Sequence, residues 1–273
     1  MGRLVTLRTG VTLNYVEHGK PSGVPVILLH GVTDSWRSFE PLLDRLPDTI
    51  RALAVSQRGH GASSKPADGY RYEDMAADLA AFMDALALPA AVIVGHSMGA
   101  MVAQRFAADH PQRVAGLVLM GAPRTLHRHP AVQELWDATL SRLTDPVDAD
   151  FVREFQLSTL ARPVPDEFLE TVVHQSLLVP ARIWRATFSG FLATPDFSAE
   201  LRRLQAPTLI AWGELDAYTG RADQEALHAT IPGSRLLVYP GGGHAFHWEA
   251  PDLFAADLVT FVYQPAQRTQ VLA

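Results

Sequence analysis

Cysteine is absent from the 273-residue chain, which rules out a disulfide framework, a thiolate nucleophile and a cysteine zinc site. The positive excess that nucleic acid or an anionic membrane would demand is missing too. Lys and Arg total 23 against 29 Asp and Glu, a formal net charge of −6, and phosphate binding needs clustered Lys and Arg. No internal repeat and no low-complexity tract occurs. Met1–Arg8 lacks the apolar core of a signal peptide, so a cytoplasmic location is expected. Residues 85–104 contain no Asp, Glu, Lys or Arg, yet Pro89, His96, Ser97 and Gln104 interrupt them. They read as a buried strand plus a turn, not as a membrane span. The loose myristoylation pattern Met1-Gly2-x-x-x-Thr6 opens an alternating strand and is read as a chance match.

What is present suits an α/β protein with a large core, since 48% of the residues are hydrophobic and 19% charged. The most informative segment is Ala91-Val-Ile-Val-Gly95-His96-Ser97-Met98-Gly99, an apolar run that ends in Gly-x-Ser-x-Gly before a helical pattern. It reads as strand, sharp turn and helix with a serine at the apex, where the tight backbone leaves room only for glycine on either flank. The helix that starts there aims free N–H groups at an anion forming beside Ser97.

Three further strands end in candidate partners. Val24-Pro-Val-Ile-Leu-Leu29 runs into His30-Gly31-Val32, a loop able to turn the Val32 N–H toward the serine and complete an oxyanion hole with the Met98 N–H. Pro207–Gly213 precedes Glu214-Leu215-Asp216, and Arg235–Tyr239 precedes Gly241-Gly-Gly-His244. Ser97, Asp216 and His244 thus each follow the C-terminal end of a strand. His244 is preferred over His247 because it directly follows the glycine run. Asp216 is preferred over Glu214 and over Asp223, which falls inside the next helical pattern.

On these residues the chain resembles the α/β-hydrolase superfamily over nearly its whole length. The matching pieces are His30-Gly31, Arg58-Gly59-His60-Gly61-x-Ser63, Gly95-His-Ser97-Met-Gly99, Gly213-x-x-Asp216 and Gly243-His244-x-x-x-x-Glu249-x-Pro251. Within the superfamily it is most similar to small bacterial carboxylesterases, pimeloyl-ester hydrolases and 3-oxoadipate enol-lactonases. The resemblance implies a mostly parallel eight-stranded sheet flanked by helices, with a helical cap inserted after the sixth strand. Ser56 departs from the pattern, standing where Asp commonly precedes the x-Arg-Gly-x-Gly-x-Ser turn, and this bears on loop packing, not on catalysis. Arg58 is read as the ion-pair partner that orders this loop.

The βα rhythm itself breaks between Met120 and Thr208. Prolines at 130, 146, 163, 165 and 180 divide the gap into candidate helices over 131–143, 148–160, 166–178 and 181–193. The expected division is a core domain of 1–122 and 196–273 with a cap of 123–195. Residues 264–273 are polar and expected to fray. Cap aromatics exceed what short helices can hide, so some are expected to roof a cleft above Ser97.

The chemistry expected is acyl transfer. His244 takes the Ser97 proton and returns it to the leaving group, Asp216 fixes the imidazole tautomer, and the Val32 and Met98 amides hold the oxyanion. Trp36, Trp136, Phe155, Trp184, Phe188, Tyr218 and Phe246 are the candidate pocket residues, with Asp34 and Arg37 beside the oxyanion turn. A small ester or lactone is the expected substrate, with no cofactor, no metal, and a monomer or homodimer as the assembly. His127 and His129 lack carboxylates at ligand spacing. The alternatives are a C–C bond hydrolase with Arg182 or Arg185 as its cation, a perhydrolase, or a ligand-sensing protein with slow hydrolysis.

Overall fold

The computed structural model describes residues 2–263. In chain order the elements are β1 (Arg3–Thr6), β2 (Thr12–His18), β3 (Val24–Leu29), α1 (Glu40–Leu43), β4 (Ile50–Ser56), α2 (Tyr72–Ala85), β5 (Ala91–His96), α3 (Met98–Asp109) and β6 (Val114–Met120). Then come α4 (Pro130–Ala138), α5 (Ala149–Leu157), α6 (Asp166–Leu177), α7 (Ala181–Ala193), β7 (Thr208–Gly213), α8 (Arg221–Thr230), β8 (Arg235–Tyr239), α9 (Phe246–Glu249) and α10 (Pro251–Tyr263). The expected fraying of 264–273 lies outside the described residues.

The eight strands form one sheet in the order β1-β2-β4-β3-β5-β6-β7-β8. β1 and β2 pair antiparallel, as do β2 and β4, and every later pair is parallel. Parallel strands with helices on both faces must be apolar on both, and the alternation shows it. Ile27 and Leu29 of β3 and Ile93 of β5 enter the cluster with α2 and α3, whereas Val26, Leu28, Val92 and Val94 enter the cluster with α1 and α10. The stripe of α2 behaves likewise: Met75, Leu79, Phe82 and Met83 are buried against the sheet.

The apolar stretch 85–104 forms the end of α2, β5 and the start of α3, and among the described residues no helix is long and apolar enough to cross a membrane. Ser56 keeps its loop packed without a carboxylate. Its hydroxyl accepts the Trp36 N–H at 3.2 Å, while its carbonyl accepts the Ser63 hydroxyl at 2.6 Å. Arg58 anchors the same loop through a two-pronged pair with Asp78 of α2, at 2.6 and 2.7 Å.

Helices α4 to α7 fall between β6 and β7. The first is shorter than the expected 131–143, because Thr139 leaves helical geometry at φ −133° and a separate turn of 3-10 helix, Leu140–Arg142, follows. The other three end within three residues of the expected limits.

Candidate active site

The turn between β5 and α3 carries Ser97 at φ 51° and ψ −112°, a left-handed conformation that side chains rarely adopt. Its neighbours leave no space for a side chain. A Cβ on Gly95 would lie 2.3 Å from the Gly99 carbonyl oxygen, and one on Gly99 would lie 2.1 Å from that of Leu29. The turn is pinned by the Ser97 N–H donating to the Met120 carbonyl at 2.9 Å and the Gly99 N–H to the His30 carbonyl at 3.1 Å. Ser97 stays half-buried and lines a cavity of about 220 Å³.

His244 lies on the loop between β8 and α9 and lines the same cavity. Its Nδ1 donates to Asp216 Oδ2 at 2.8 Å, which leaves Nε2 as the free ring nitrogen. Asp216 follows β7, and its side chain is fully shielded from solvent. It also accepts the Tyr218 and Thr219 N–H groups at 2.7 and 2.9 Å and the Thr219 hydroxyl at 2.6 Å. Burial pushes the Asp216 carboxyl upward, but His244 and the hydrogen bonds from His244 and Thr219 outweigh it and hold the group below the ordinary carboxylate value. Asp216 is therefore charged where a histidine needs an anion behind it. No hydrogen bond joins Ser97 to His244 in this structure; catalytic contacts of this type commonly tighten only with substrate in place.

Val32 and Met98 both line the cavity, and among the described residues neither backbone N–H is spent on a hydrogen bond within the chain. His30 fixes the Val32 loop: Nε2 accepts the Gln57 N–H at 3.0 Å, and Nδ1 donates to the Gly31 carbonyl at 2.7 Å. Burial, with His60 nearby, holds the His30 ring well below its ordinary pKa and so neutral. Glu249 ties the histidine loop to the segment after α5, since one oxygen accepts the Gly243 N–H at 3.0 Å and the other the Ala161 N–H at 2.7 Å.

His247 is a buried packing residue. Its ring lies 4.5 Å from His96 and 5.7 Å from Phe39, and among the described residues neither ring nitrogen finds a partner. Of the rival acids, Glu214 accepts the Gly241 N–H on the surface, and Asp223 lies in the first turn of α8.

Three of the seven candidate pocket residues line the cavity: Phe155, Phe188 and Tyr218. Four do not, and the expectation is corrected. Trp36 packs against the cluster on the other face of the sheet, beneath Arg37. Trp136 follows Leu135 by one residue, so about 100° of helical rotation turns it away while Val132 and Leu135 face the cavity. Trp184 is fully buried behind Phe155, with ring centres 5.3 Å apart. Phe246 stacks on Tyr239 at 4.3 Å in the opposite core.

Arg182 donates to the Pro66 and Lys65 carbonyls and Arg185 to the Leu143 carbonyl, and neither lines the cavity. Sequence reasoning missed Gln156, Val132, Leu135 and Trp248 as lining residues. The i, i+3 spacing of Val132 and Leu135 was a readable signal, whereas nothing in the pattern marks Gln156. Among the described residues no cluster of three His, Asp or Glu side chains could hold a metal ion.

A sheet of this order with these residues at its strand ends defines an α/β hydrolase. The family described as alpha/beta hydrolase fold matches residues 24–251, and the chain belongs to it. It is 28% identical to the 2-(acetamidomethylene)succinate hydrolase of Mesorhizobium japonicum, over 92% of each chain. It is 29% identical to a non-heme chloroperoxidase of Streptomyces lividans, over 94% of this chain and 98% of that one. Among solved structures, an esterase from Exiguobacterium antarcticum superposes with a TM-score of 0.85 at 25% identity, over 97% of this chain and all of the other.

Proposed function

We propose that the protein is a serine hydrolase that opens a small carboxylic ester or lactone through an acyl-enzyme on Ser97. The observation that carries this reading is a strained serine sharing one apolar cavity with a carboxylate-backed histidine and two unspent backbone N–H groups. His244 Nε2 takes the Ser97 proton as Oγ attacks the carbonyl carbon, and Asp216 stabilises the imidazolium that forms. The Val32 and Met98 N–H groups receive the charge developing on the carbonyl oxygen, a contribution worth roughly 10²–10³ in rate per donor. Collapse of the tetrahedral intermediate expels the alkoxide, which takes the proton from His244. Water then enters by the same route, with His244 as base, and the acid leaves.

Helices α4, α5 and α7 act as the roof of the cap in this reading, since Val132, Leu135, Phe155, Gln156, Phe188 and Phe191 line the cavity. An apolar roof favours a compact, weakly polar acyl or alcohol group. The C–C hydrolase alternative loses support, because among the described residues no arginine or lysine lines the cavity to meet a substrate carboxylate. Turnover of p-nitrophenyl acetate and butanoate tests the reading. Hydrolysis that vanishes in Ser97→Ala supports it, and absence of hydrolysis alongside tight binding of a small ligand would favour a sensing role.

A further inference from the structure

The acyl-transfer steps leave one buried carboxyl of the cavity unused. Asp34 lies two residues beyond Val32, is 3% exposed and lines the cavity that holds Ser97. Its Oδ1 accepts the Gln156 side-chain N–H at 3.0 Å, and Gln156, 1% exposed on α5, is held in turn by Ser176 of α6 at 2.8 Å. Among the described residues Oδ2 accepts no hydrogen bond. It sits beside the turn, since a Cβ on Gly31 would lie 3.1 Å from it.

A purely structural role explains this poorly. An amide would accept the Gln156 bond equally well without the cost of a buried ionisable group. Among the described residues no arginine or lysine lines the cavity, and the nearby His244 offsets the burial of the charge only in part. Oδ2 thus has no donor among the described residues, and the cavity it borders is where a substrate would lie.

We propose that Asp34 is the specificity-determining residue of the cavity, and that the preferred acyl group carries a hydrogen-bond donor, a hydroxyl, amide N–H or ammonium, close to the carbonyl that Ser97 attacks. This rests on the reading of Ser97 as the nucleophile. The donor satisfies Oδ2, whereas a plain alkyl chain leaves it buried and unpaired, the situation in which polar sites discriminate most strongly. A free carboxylate on the substrate meets repulsion from ionised Asp34 and, among the described residues, no arginine or lysine in the lining. Burial pushes the Asp34 carboxyl up to about 7, against the Gln156 hydrogen bond and the nearby His244, so the discrimination against anions strengthens as pH rises through neutrality. The titratable groups facing Asp34 are His244 and, across Gly31, His96 of β5; α5 presents the neutral Gln156.

The test uses three near-isosteric p-nitrophenyl esters, the butanoate, the 3-hydroxypropanoate and the 3-aminopropanoate, with the hydrogen succinate as the anionic probe. The wild-type chain is expected to show kcat/KM at least about fivefold higher for the two donor-bearing esters than for the butanoate near pH 8. Asp34→Leu should erase both preferences, and Asp34→Asn should erase the ammonium preference while retaining the hydroxyl one. The hydrogen succinate should lose ground to the butanoate between about pH 6 and pH 8 in the wild type and not in Asp34→Asn. Calorimetric Kd values for the same esters in a Ser97→Ala background give the ratios without turnover. Ratios that move with Asp34 there, with no turnover by the Ser97 chain, would refute the esterase reading and keep this inference. Ratios unchanged by either Asp34 substitution, or failure of the Ser97→Ala chain to bind any of the three esters, would overturn it.

Discussion

Asp216 Oδ2 lies 2.8 Å from His244 Nδ1, and the same carboxylate accepts three further hydrogen bonds from Tyr218 and Thr219. Every contact made by Asp216 thus favours its anion and one tautomer of the histidine. Asp216→Asn should lower kcat by about 10³ or more through loss of that tautomer, and His244→Ala by a similar factor, because the members act as a unit. His247→Ala, by contrast, should retain kcat within about tenfold while lowering stability by roughly 2 kcal/mol through lost packing. Steady-state kinetics alongside urea denaturation separates the two histidines.

Arg58 and Asp78 form a pair with side chains 9% and 4% exposed. Burial pulls the Arg58 pKa down, but Asp78 and its neighbours more than compensate, so the guanidinium stays charged. Arg58→Ala strands the Asp78 carboxylate, and a loss of about 3–5 kcal/mol is expected. Replacing both residues, Arg58→Leu with Asp78→Leu, should cost less than the single change. A double change costing as much as the two singles combined would remove the pair from the account.

Phe155 and Phe188 line the cavity, whereas Trp136 does not. Phe155→Ala or Phe188→Ala should shift the kcat/KM ratio of octanoate to acetate esters by about tenfold, the worth of roughly 1–3 kcal/mol of lost contact. Trp136→Ala should leave the ratio unchanged. Equal effects at all three positions would argue that the helices stabilise the fold without selecting the substrate.

Much of this site was readable from local pattern, because a strand ending in Gly-x-Ser-x-Gly leaves the backbone few alternatives. The apolar runs between helical stripes mark where strands fall, whereas the eight-stranded sheet was implied by the family resemblance and the order of its strands became known only from the structure. The cavity wall was less accessible. Whether Leu135 or Trp136 faces inward depends on the rotation of a helix bound by proline at one end and by a non-helical Thr139 at the other. The Asp34–Gln156 contact joins residues 122 positions apart, and no local periodicity encodes it.

Asp34 also makes stability depend on pH in a direction opposite to the usual carboxylate. Its folded value near 7 lies above the ordinary 3.8, so between those limits the folded chain holds a proton that the unfolded chain has released, and stability falls as pH rises. At about 1.4 kcal/mol per pH unit the penalty approaches ~4 kcal/mol by pH 8. Asp34→Asn should remove it, raising the melting temperature near pH 8 and changing it little near pH 4. Equal effects at both pH values would contradict a buried, titrating carboxyl.

The proposed mechanism requires Ser97 to become acylated during turnover. Treatment with a fluorophosphonate followed by peptide mass spectrometry should find one adduct per chain on Ser97, with ester hydrolysis lost in proportion to labelling. His244→Ala should label at least about 10²-fold more slowly, since the base is gone. Ester hydrolysis that persists in a fully labelled chain, or an adduct on another serine with Ser97 unmodified, would rule out Ser97 as the nucleophile.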